Sequence, residues 1–304
     1  MPVIMLLPFL FLAADLRLGI IGTDTSHATA FAQLLNSGKV PGAKIVAAYK
    51  GGSADVESSR TRVDNYAKEL QTKWGVEIVN DIPTLAEKVD AILLLSVDGR
   101  THLPQFRQAL GAKKPVFIDK PLASTLADAR EIDRFAREAH VPWFSASSLR
   151  WSEVVSSVEG LGILGAVTWG PGPFEEHHQL DLSWYAIHPI EILFTLMGPG
   201  CEEVTRISGA DADEISCRWK NGRIGTVRAL RPYGAYGAVV FRKDGVQVSP
   251  QKPHTDYEGL VREIVKFFET GKPPVSNADT LEIFAFMDAA QRSKEAGGKP
   301  MPLK

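Results

Sequence analysis

The sequence predicts a two-domain α/β protein, in which a doubly wound parallel sheet is followed by an α+β domain with a mainly antiparallel, open sheet. Three observations support this prediction. The length of 304 residues suits two domains of about 150 residues each. Up to about residue 149, short apolar runs alternate with amphipathic segments, as in parallel sheets covered by helices. After Arg150, polar and apolar residues alternate with a period of two, which is typical of antiparallel strands.

Six apolar runs in the first half are predicted strands of the parallel sheet. They are rich in Val and Ile, apolar at consecutive positions and bounded by turn residues, as expected of strands buried on both faces. The segments between them are predicted helices, since HATAFAQLLNS and LADAREIDRFAREA each place their apolar residues on one face. The six runs are LRLGIIG (16–22), AKIVAAY (43–49), VEIV (76–79), AILLLSV (91–97), PVFID (115–119) and VPWFSAS (141–147).

The second half contains shorter runs with two-residue alternation. Asn221-Gly222 and Asp244-Gly245 are hairpin signals between such runs. Two helices are predicted at the end, over residues 257–270 and 279–296. The change of pattern places a domain boundary near 147–151 and divides the chain into residues 15–148 and 149–304. The predicted strands are LGAVTWG, EEVTRIS, DEISCRW, RIGTVRAL and GAVVFRKD.

Charge and composition favour a small-molecule partner. The net charge is −2, with 44% apolar and 23% charged residues. Acidic and basic residues are interspersed, so no basic surface for nucleic acid or anionic membrane is predicted. Cys201 and Cys217 lack the CxxC spacing of a zinc or redox site, and we interpret them as small buried apolar residues. A disulfide between them would require an oxidising compartment.

Residues 1–14, MPVIMLLPFLFLAA, resemble a signal peptide. An apolar run is followed by small residues, although no Lys or Arg precedes it. The run is too short for an integral membrane span. The alternative is a loose apolar extension, so the sequence leaves a cytoplasmic and an exported location open. No Arg-Arg pair indicates the twin-arginine route.

The stretch LGIIGTDTSHATAF (18–31) resembles the phosphate-binding turn of a dinucleotide fold. Gly22 supplies the first glycine of the turn, while Asp24 and His27 occupy the positions of the second and third. We predict a modified nucleotide turn, with cofactor contacts from Gly22, Thr23, Asp24, Thr25, Ser26 and His27. In the alternative interpretation, Asp24, Thr25 and Ser26 only cap the helix.

The end of the second strand reads AYKGGS (48–53). An acidic residue here would bind the ribose 2′-hydroxyl of NAD, and none is present. Lys50 and Ser53 could instead accommodate a 2′-phosphate. The cofactor prediction is therefore NAD or NADP, with a slight preference for NADP.

Several motifs, in order, resemble one family. Asp119-Lys120-Pro121-Leu122-Ala123 is similar to the Glu-Lys-Pro motif of the glucose–fructose oxidoreductase/inositol dehydrogenase/MocA (Gfo/Idh/MocA) family. His102 matches its histidine after the fourth strand, and Leu149-Arg150-Trp151 resembles its Arg-Phe step into the second domain. GLGILGAV (160–167) and the closing helices over 267–300 also match. The resemblance covers residues 16–304 and implies a Rossmann-type first domain with a substrate and oligomerisation domain behind it.

The resemblance implies a division of roles in the site. Lys120 is expected to exchange a proton with the substrate hydroxyl near the carbon that exchanges hydride. Ser96, Val97, Asp98, His102 and Asp119 are expected beside the cofactor. His188 and Glu191 match the histidine and the later acid of the family's Asp-x-x-x-His helix, but the aspartate position holds Trp184. Asp181 is expected to substitute for it, so the predicted catalytic residues are Lys120, His188 and Asp181, with Arg150, Trp184 and Glu191 at the substrate.

Three functions follow from these patterns. The leading hypothesis is an NAD(P)-dependent oxidoreductase acting on a hydroxyl carbon of a sugar, polyol or related compound. The second is a non-catalytic binding or regulatory protein on the same fold, suggested by the missing glycines. The third is a metal-assisted hydrolase or lyase, since residues 175–191 include several possible ligands, although their spacing matches no zinc pattern and no metal ligand is predicted. A homo-oligomer is expected, because the open sheet of the second domain needs cover and family members commonly pair through it.

Overall fold

The computed structural model describes residues 14–232 and 234–303, so the predicted signal peptide lies outside the described residues except for Ala14. A six-stranded parallel sheet forms the first domain, with the strand order β3-β2-β1-β4-β5-β6. All six predicted strands are confirmed. They are β1 (Leu16–Ile21), β2 (Ala43–Tyr49), β3 (Glu77–Val79), β4 (Ala91–Leu94), β5 (Val116–Ile118) and β6 (Trp143–Phe144).

Helices cover both faces of this sheet. They begin where the sequence offers capping side chains: Thr25, Asp81 and Thr125 each accept a hydrogen bond from a backbone amide in the first turn. The helices are α1 (Ser26–Asn36), α2 (Glu57–Arg60), α3 (Val63–Trp74), α4 (Ile82–Lys88), α5 (His102–Ala109) and α6 (Leu126–Ala139). Because strand order reverses between β1 and β4, a crevice opens at the carboxyl edge there, where such sheets bind ligands.

The second sheet has seven strands in the order β12-β11-β7-β10-β9-β8-β13. Its pairs are antiparallel except for β7 and β10, which run parallel. The mainly antiparallel sheet predicted from the sequence is thus confirmed. Its strands are β7 (Gly165–Pro171), β8 (Cys201–Ser208), β9 (Ala212–Trp219), β10 (Ile224–Leu230), β11 (Gly237–Arg242), β12 (Gly245–Val248) and β13 (Met301–Pro302).

Four helices complete the chain: α7 (Glu153–Ser156), α8 (Ile187–Met197), α9 (Glu258–Thr270) and α10 (Asn277–Glu295). α8 and α10 pack on one face of the second sheet. α9 returns to the first domain, where Leu260, Ile264 and Phe267 join the apolar core under α1. The two domains therefore share buried surface, which fixes the edge at which they meet.

The cysteines are buried as predicted, but the interpretation as unpaired residues is wrong. Cys201 on β8 and Cys217 on β9 lie on neighbouring antiparallel strands and form a disulfide. Strand pairing brings their Cα atoms to 6.0 Å, a distance that a disulfide spans. Within the described residues, no helix is both long and apolar enough to cross a membrane.

Candidate active site

A cavity of about 290 Å³ lies where the carboxyl edge of the parallel sheet meets the second domain. The first domain contributes the start of α1 and the residues after β4 and β5, and the second domain contributes the turn before α8 and the residue before β11. Polar and aromatic side chains dominate its lining. Its lining includes Thr25, Ser26, His27, Val97, Lys120, Tyr185, His188 and Tyr236.

Lys120 reaches this cavity because β5 ends two residues earlier. Its ammonium group lies 5.5 Å from the centre of the Tyr185 ring, a distance at which the ring face attracts a cation. Tyr185 has a left-handed backbone with φ of 61°, which is uncommon for a residue with a side chain. Such strain persists where the surroundings hold it, and here it places the ring beneath Lys120.

His27 pairs with Asp119 across the cavity wall. His27 Nδ1 lies 2.6 Å from Asp119 Oδ2, and the other carboxylate oxygen accepts the Lys120 backbone N–H at 2.9 Å. Burial alone would raise the pKa of Asp119, but the His27 and Lys120 charges and hydrogen bonds lower it overall. An ionised Asp119 accepts from the Nδ1–H of His27. The side chain in the third glycine position therefore belongs to the Lys120 site.

His188 is the second histidine that lines the cavity. Burial, with the nearby charges of Lys120 and His27, lowers its pKa well below the ordinary value, so the ring is neutral. Ser147 Oγ accepts from the Leu149 amide and lies 2.7 Å from His188 Nδ1. In the tautomer with the ring proton on Nε2, the hydroxyl donates to Nδ1 and His188 keeps an N–H donor.

The turn after β1 keeps one feature of a nucleotide turn and changes another. Gly22 has φ of 96°, and a Cβ there would lie 2.3 Å from the Ser96 amide nitrogen, so only glycine fits. Asp24 is fully buried. Its Oδ1 accepts from the Val97 amide at 3.2 Å and its Oδ2 accepts from the Ser59 hydroxyl at 2.6 Å. Burial raises its pKa, although these hydrogen bonds oppose the shift.

Residues 51–62, which follow β2 and which we name the cover, lie against this turn. Ser59 is buried against Asp24, and Ser53 Oγ donates to Asp98 at 2.5 Å. Lys50, predicted to meet a 2′-phosphate, is paired at 2.8 Å with exposed Asp64. A dinucleotide would place its diphosphate at the α1 N-terminus and its adenosine ribose at the end of β2. The start of α1 and the Lys120 cavity fit a nicotinamide end, whereas Asp24 and the cover occupy the adenosine end and do not fit.

His102 serves the fold at the edge of the site. It is fully buried, and its Nε2 lies 2.7 Å from the Ser96 carbonyl oxygen. Burial lowers its pKa, so the neutral ring donates to that carbonyl. His102 is not among the cavity-lining residues. It holds the segment after β4 against which Gly22 packs.

Asp181, expected to substitute for the missing catalytic aspartate, lies away from the Lys120 cavity. Its carboxylate bonds to buried Arg206 at 2.7 and 3.0 Å and to Lys294 at 2.7 Å. Arg206 also pairs with Asp213. Both oxygens are therefore occupied in an ion cluster that joins the segment before α8 to the second sheet, and Asp181 does not line the Lys120 cavity.

The three predicted substrate residues also have partners in the protein. Arg150 Nε donates to Glu191 Oε2, and burial raises the pKa of Glu191 while Arg150 opposes the shift. This pair ties the Ser148–Trp151 turn to α8. Trp184 precedes the helix instead of sharing its face with His188, because α8 begins at Ile187. Its ring packs on His178 at 5.1 Å, and none of the three lines the cavity.

The possible metal ligands near residue 177 form hydrogen bonds with one another. Glu175 accepts from His177 and His178 at 2.6 and 2.8 Å. His178 Nε2 lies 3.3 Å from Asp98 Oδ1. In the part of the chain that the structure describes, no group of three or more His, Cys, Asp or Glu could hold a metal ion. These residues instead connect the loop after β7 to the first domain.

Sequence reasoning missed Tyr185, Tyr236 and Ser147. Tyr185 lies under Lys120, and the Tyr236 ring is 5.6 Å from that of His188. One signal was present: an aromatic pair, Trp184-Tyr185, stands in a polar stretch just before a mostly apolar helix. Ser147 and Tyr236 carry no such signal, since ordinary serine and tyrosine positions in loops look the same.

The fold and the cavity define the class: a protein with a Rossmann-type parallel sheet, a second, mainly antiparallel sheet, and a cavity where the two meet. Residues 16–147 match the model of the oxidoreductase family with an NAD-binding Rossmann fold (GFO_IDH_MocA). The first domain is therefore similar to the NAD-binding domain of the Gfo/Idh/MocA family, in agreement with its motifs.

Individual relatives agree with this assignment. Over 120 residues, 38% of the chain, it is 34% identical to the inositol 2-dehydrogenase of Acidiphilium cryptum (strain JF-5), covering 32% of that protein. The chain spans about a quarter to a third of the length of the curated relatives it matches.

Solved structures resemble both domains. One is the myo-inositol dehydrogenase from Lactobacillus casei in complex with NAD(H) and myo-inositol (TM-score 0.73, 17% identity, 96% of this chain, 97% of that chain). Another is an oxidoreductase from Agrobacterium radiobacter in complex with NAD+, L-tartaric acid and magnesium (TM-score 0.74, 17% identity, 95% and 99%). At these identities the likeness confirms the two-domain fold.

Proposed function

We propose that the protein is an NAD(P)-dependent oxidoreductase that transfers a hydride between a nicotinamide and a hydroxyl-bearing carbon of a sugar, polyol or related compound. The observation that carries this proposal is the convergence of Lys120, His27 and His188 on one cavity at the carboxyl edge of a dinucleotide-type sheet. The match of the first domain to the family model and relatives named for inositol support it.

Lys120 is the group that exchanges a proton with the substrate hydroxyl. Its side chain lies in the cavity over an aromatic ring, where a primary amine can hold or release a proton close to a bound hydroxyl. The adjacent Asp119 bonds to the Lys120 backbone amide, which fixes the position from which the side chain extends. Asp119 therefore acts as a positioning residue.

The two histidines complete the site. His188 orients a substrate oxygen. His27, held by Asp119, bonds to a substrate hydroxyl and takes the place of the carboxylate that Trp184 replaces in the Asp-x-x-x-His pattern. Two imidazoles and an amine around a cavity of about 290 Å³ suit a small uncharged polyol.

A bound nicotinamide cofactor would supply or accept the hydride. Thr25, Ser26 and the α1 N-terminus would hold its phosphate, since that helix end carries a partial positive charge. Gly22, Thr23, Ser96 and Val97 would lie along it. We favour NADP over NAD because the end of β2 has no acidic side chain and carries Lys50.

Binding and turnover test the proposal. Purified protein is titrated with NADH and NADPH while nicotinamide fluorescence is followed, and reduction of NAD+ or NADP+ is measured with myo-inositol and related polyols. Lys120→Ala should lower kcat/KM by roughly 10²–10⁴, while the exposed-lysine control Lys272→Ala should not. Folded protein that binds neither nucleotide at millimolar concentration would contradict the proposal.

A binding or regulatory protein is the second candidate, and the buried Asp24 favours it. An ionised carboxylate at the diphosphate position opposes an anionic ligand. This candidate predicts that no polyol is oxidised and that Lys120→Ala leaves the biological role intact. Loss of that role in a stably folded Lys120→Ala protein would contradict it.

A further inference from the structure

We propose that the cover, residues 51–62, is a built-in gate over the adenosine half of the dinucleotide groove, closed through Asp24 and Asp98, and that a full dinucleotide binds only when it lifts. This inference rests on the proposed function. The first domain has a dinucleotide-binding fold, but the end that would hold the adenosine is covered. One segment with identifiable contacts accounts for this disagreement.

The cover lies where the adenosine must pass. It leaves the end of β2 through Gly51 and Gly52, whose φ values of 60° and 98° let the chain turn back over the sheet edge. A Cβ on Gly51 would lie 3.2 Å from Gly22 Cα and from Ser96 Oγ. The first residue of the cover thus packs on both turns that border the groove.

Short polar contacts close the gate. Ser59 Oγ donates to Asp24 at 2.6 Å and accepts from the Ser53 amide at 2.7 Å. Ser53 Oγ donates to Asp98 at 2.5 Å. Asp24 also accepts from the Val97 amide, so one carboxylate joins the turns after β1 and β4 to the cover. Ser59 is fully buried by these contacts.

The composition of the cover allows it to open. Val56 is its only buried apolar side chain, whereas its other residues are polar or small. Segments with few buried apolar contacts open at low free-energy cost. Once lifted, Ser59 and Ser53 can bond to water, and Asp24 can hydrate as well. Opening also breaks the exposed Asp55–Arg100 ion pair, whose two charges hydrate in the open state. Opening therefore exchanges polar contacts for water and exposes little apolar surface.

The nicotinamide end is left open by the same arrangement. Thr25, Ser26 and Lys120 line the cavity; of the cover, only its last residue, Arg62, lies there, while Ser53 and Ser59 do not. A ligand that ends at the first phosphate, such as reduced nicotinamide mononucleotide (NMNH), can therefore enter with the cover closed. Only a ligand that carries the adenosine half competes with the cover.

Matched titrations with NADH and NMNH test the gate. Ser59→Ala removes the bond to Asp24 but keeps the negative charge, and it should tighten NADH binding at least tenfold with NMNH unchanged. Ser53→Ala, which removes the cover's bond to Asp98, should act in the same direction and serves if Ser59→Ala folds poorly. Asp24→Asn removes the charge while leaving both contacts possible. Thr61→Ala is the control, because its hydroxyl bonds only within the segment, to Glu57 O.

Backbone hydrogen exchange provides the second readout. NADH should speed exchange in residues 51–62 of the wild type, whereas a ligand that simply packs on the segment would slow it. Two results would overturn the gate directly: equal NADH affinity for wild type and Ser59→Ala, or slower exchange in the cover when NADH binds. A gain of affinity in Asp24→Asn alone would also overturn it, because the charge of Asp24 would then be the obstacle. If none of NADH, NADPH and NMNH binds any variant, the proposed function itself fails.

Discussion

Asp119 illustrates how one side chain organises this site. It holds His27 and the Lys120 backbone together although 92 residues separate the two partners of the first bond. The carboxylate is fully buried among these donors, and its pKa is lowered. Its ionised form therefore stabilises the folded state as well as the site.

Asp119→Asn should lower the free energy of unfolding at pH 7 by about 2–4 kcal/mol, since a buried charged hydrogen-bond partner is lost. A depressed pKa contributes stability above the unfolded value of 3.8 that is lost as pH falls through the folded value. The gap between wild type and variant should thus narrow below about pH 4. Urea unfolding from pH 7 to 3 measures this gap, with exposed Asp244→Asn as control; a gap independent of pH would contradict it.

Asp24 has the opposite effect on the pH dependence of stability. Burial raises its pKa, so its contribution to stability is full below the unfolded value of 3.8 and declines as pH rises through the folded value. Asp24→Asn, which mimics the protonated acid, should therefore raise the free energy of unfolding at pH 7 but not below pH 3.8. Thermal unfolding at both pH values checks this expectation, and destabilisation at pH 7 would count against it.

At the scale of elements, the disulfide joins two strands of the second sheet. Cys201 and Cys217 are buried and close a short loop through the β8–β9 hairpin. Replacing both with Ala should lower the free energy of unfolding by about 3 kcal/mol, by the usual scaling with loop length. Thiol titration of unfolded, unreduced protein should find no free thiol. Two free thiols, with no loss of stability in the variant, would refute the bond.

The strands could be predicted from the sequence because each is a local pattern. β1, β2 and β4 are continuous apolar runs, and their burial on both faces requires this composition. Lys120 was found through a short contiguous motif. The Asp119–His27 and Asp24–Ser59 bonds were not found, because each joins distant residues whose types also suit ordinary caps and turns. For the same reason, the sequence of the cover indicated only a flexible turn.

At the scale of the whole molecule, the second sheet leaves one face open. Alternate side chains of β10 are buried against α8, and the others face outward. Five large apolar residues on this sheet are exposed, which is uncommon for a surface that stays in water. They are Ile207, Ile224, Phe241, Val246 and Val248. We expect a second copy of the chain to cover this face.

Glutamate at Ile224 and Phe241 together should convert the oligomer to a monomer, because burying two carboxylates at an interface is costly. Sedimentation velocity of wild type and of the double variant measures the change, with Lys272→Glu as the control for charge. A wild-type protein that sediments as a monomer at micromolar concentration would exclude this interface.

Asp98 lies on both sides of the boundary between the domains. One oxygen accepts from Ser53 of the cover, and the other lies 3.3 Å from His178, in the loop that leads to Trp184 and Tyr185. Lifting the cover removes Ser53 from this carboxylate, which keeps its bonds to Arg100 and its contact with His178, and so changes its hold on that loop. Binding at the two ends of the cleft is then energetically linked, and linkage is reciprocal. A polyol that orders the loop and a nucleotide that lifts the cover must alter each other's affinity by the same factor.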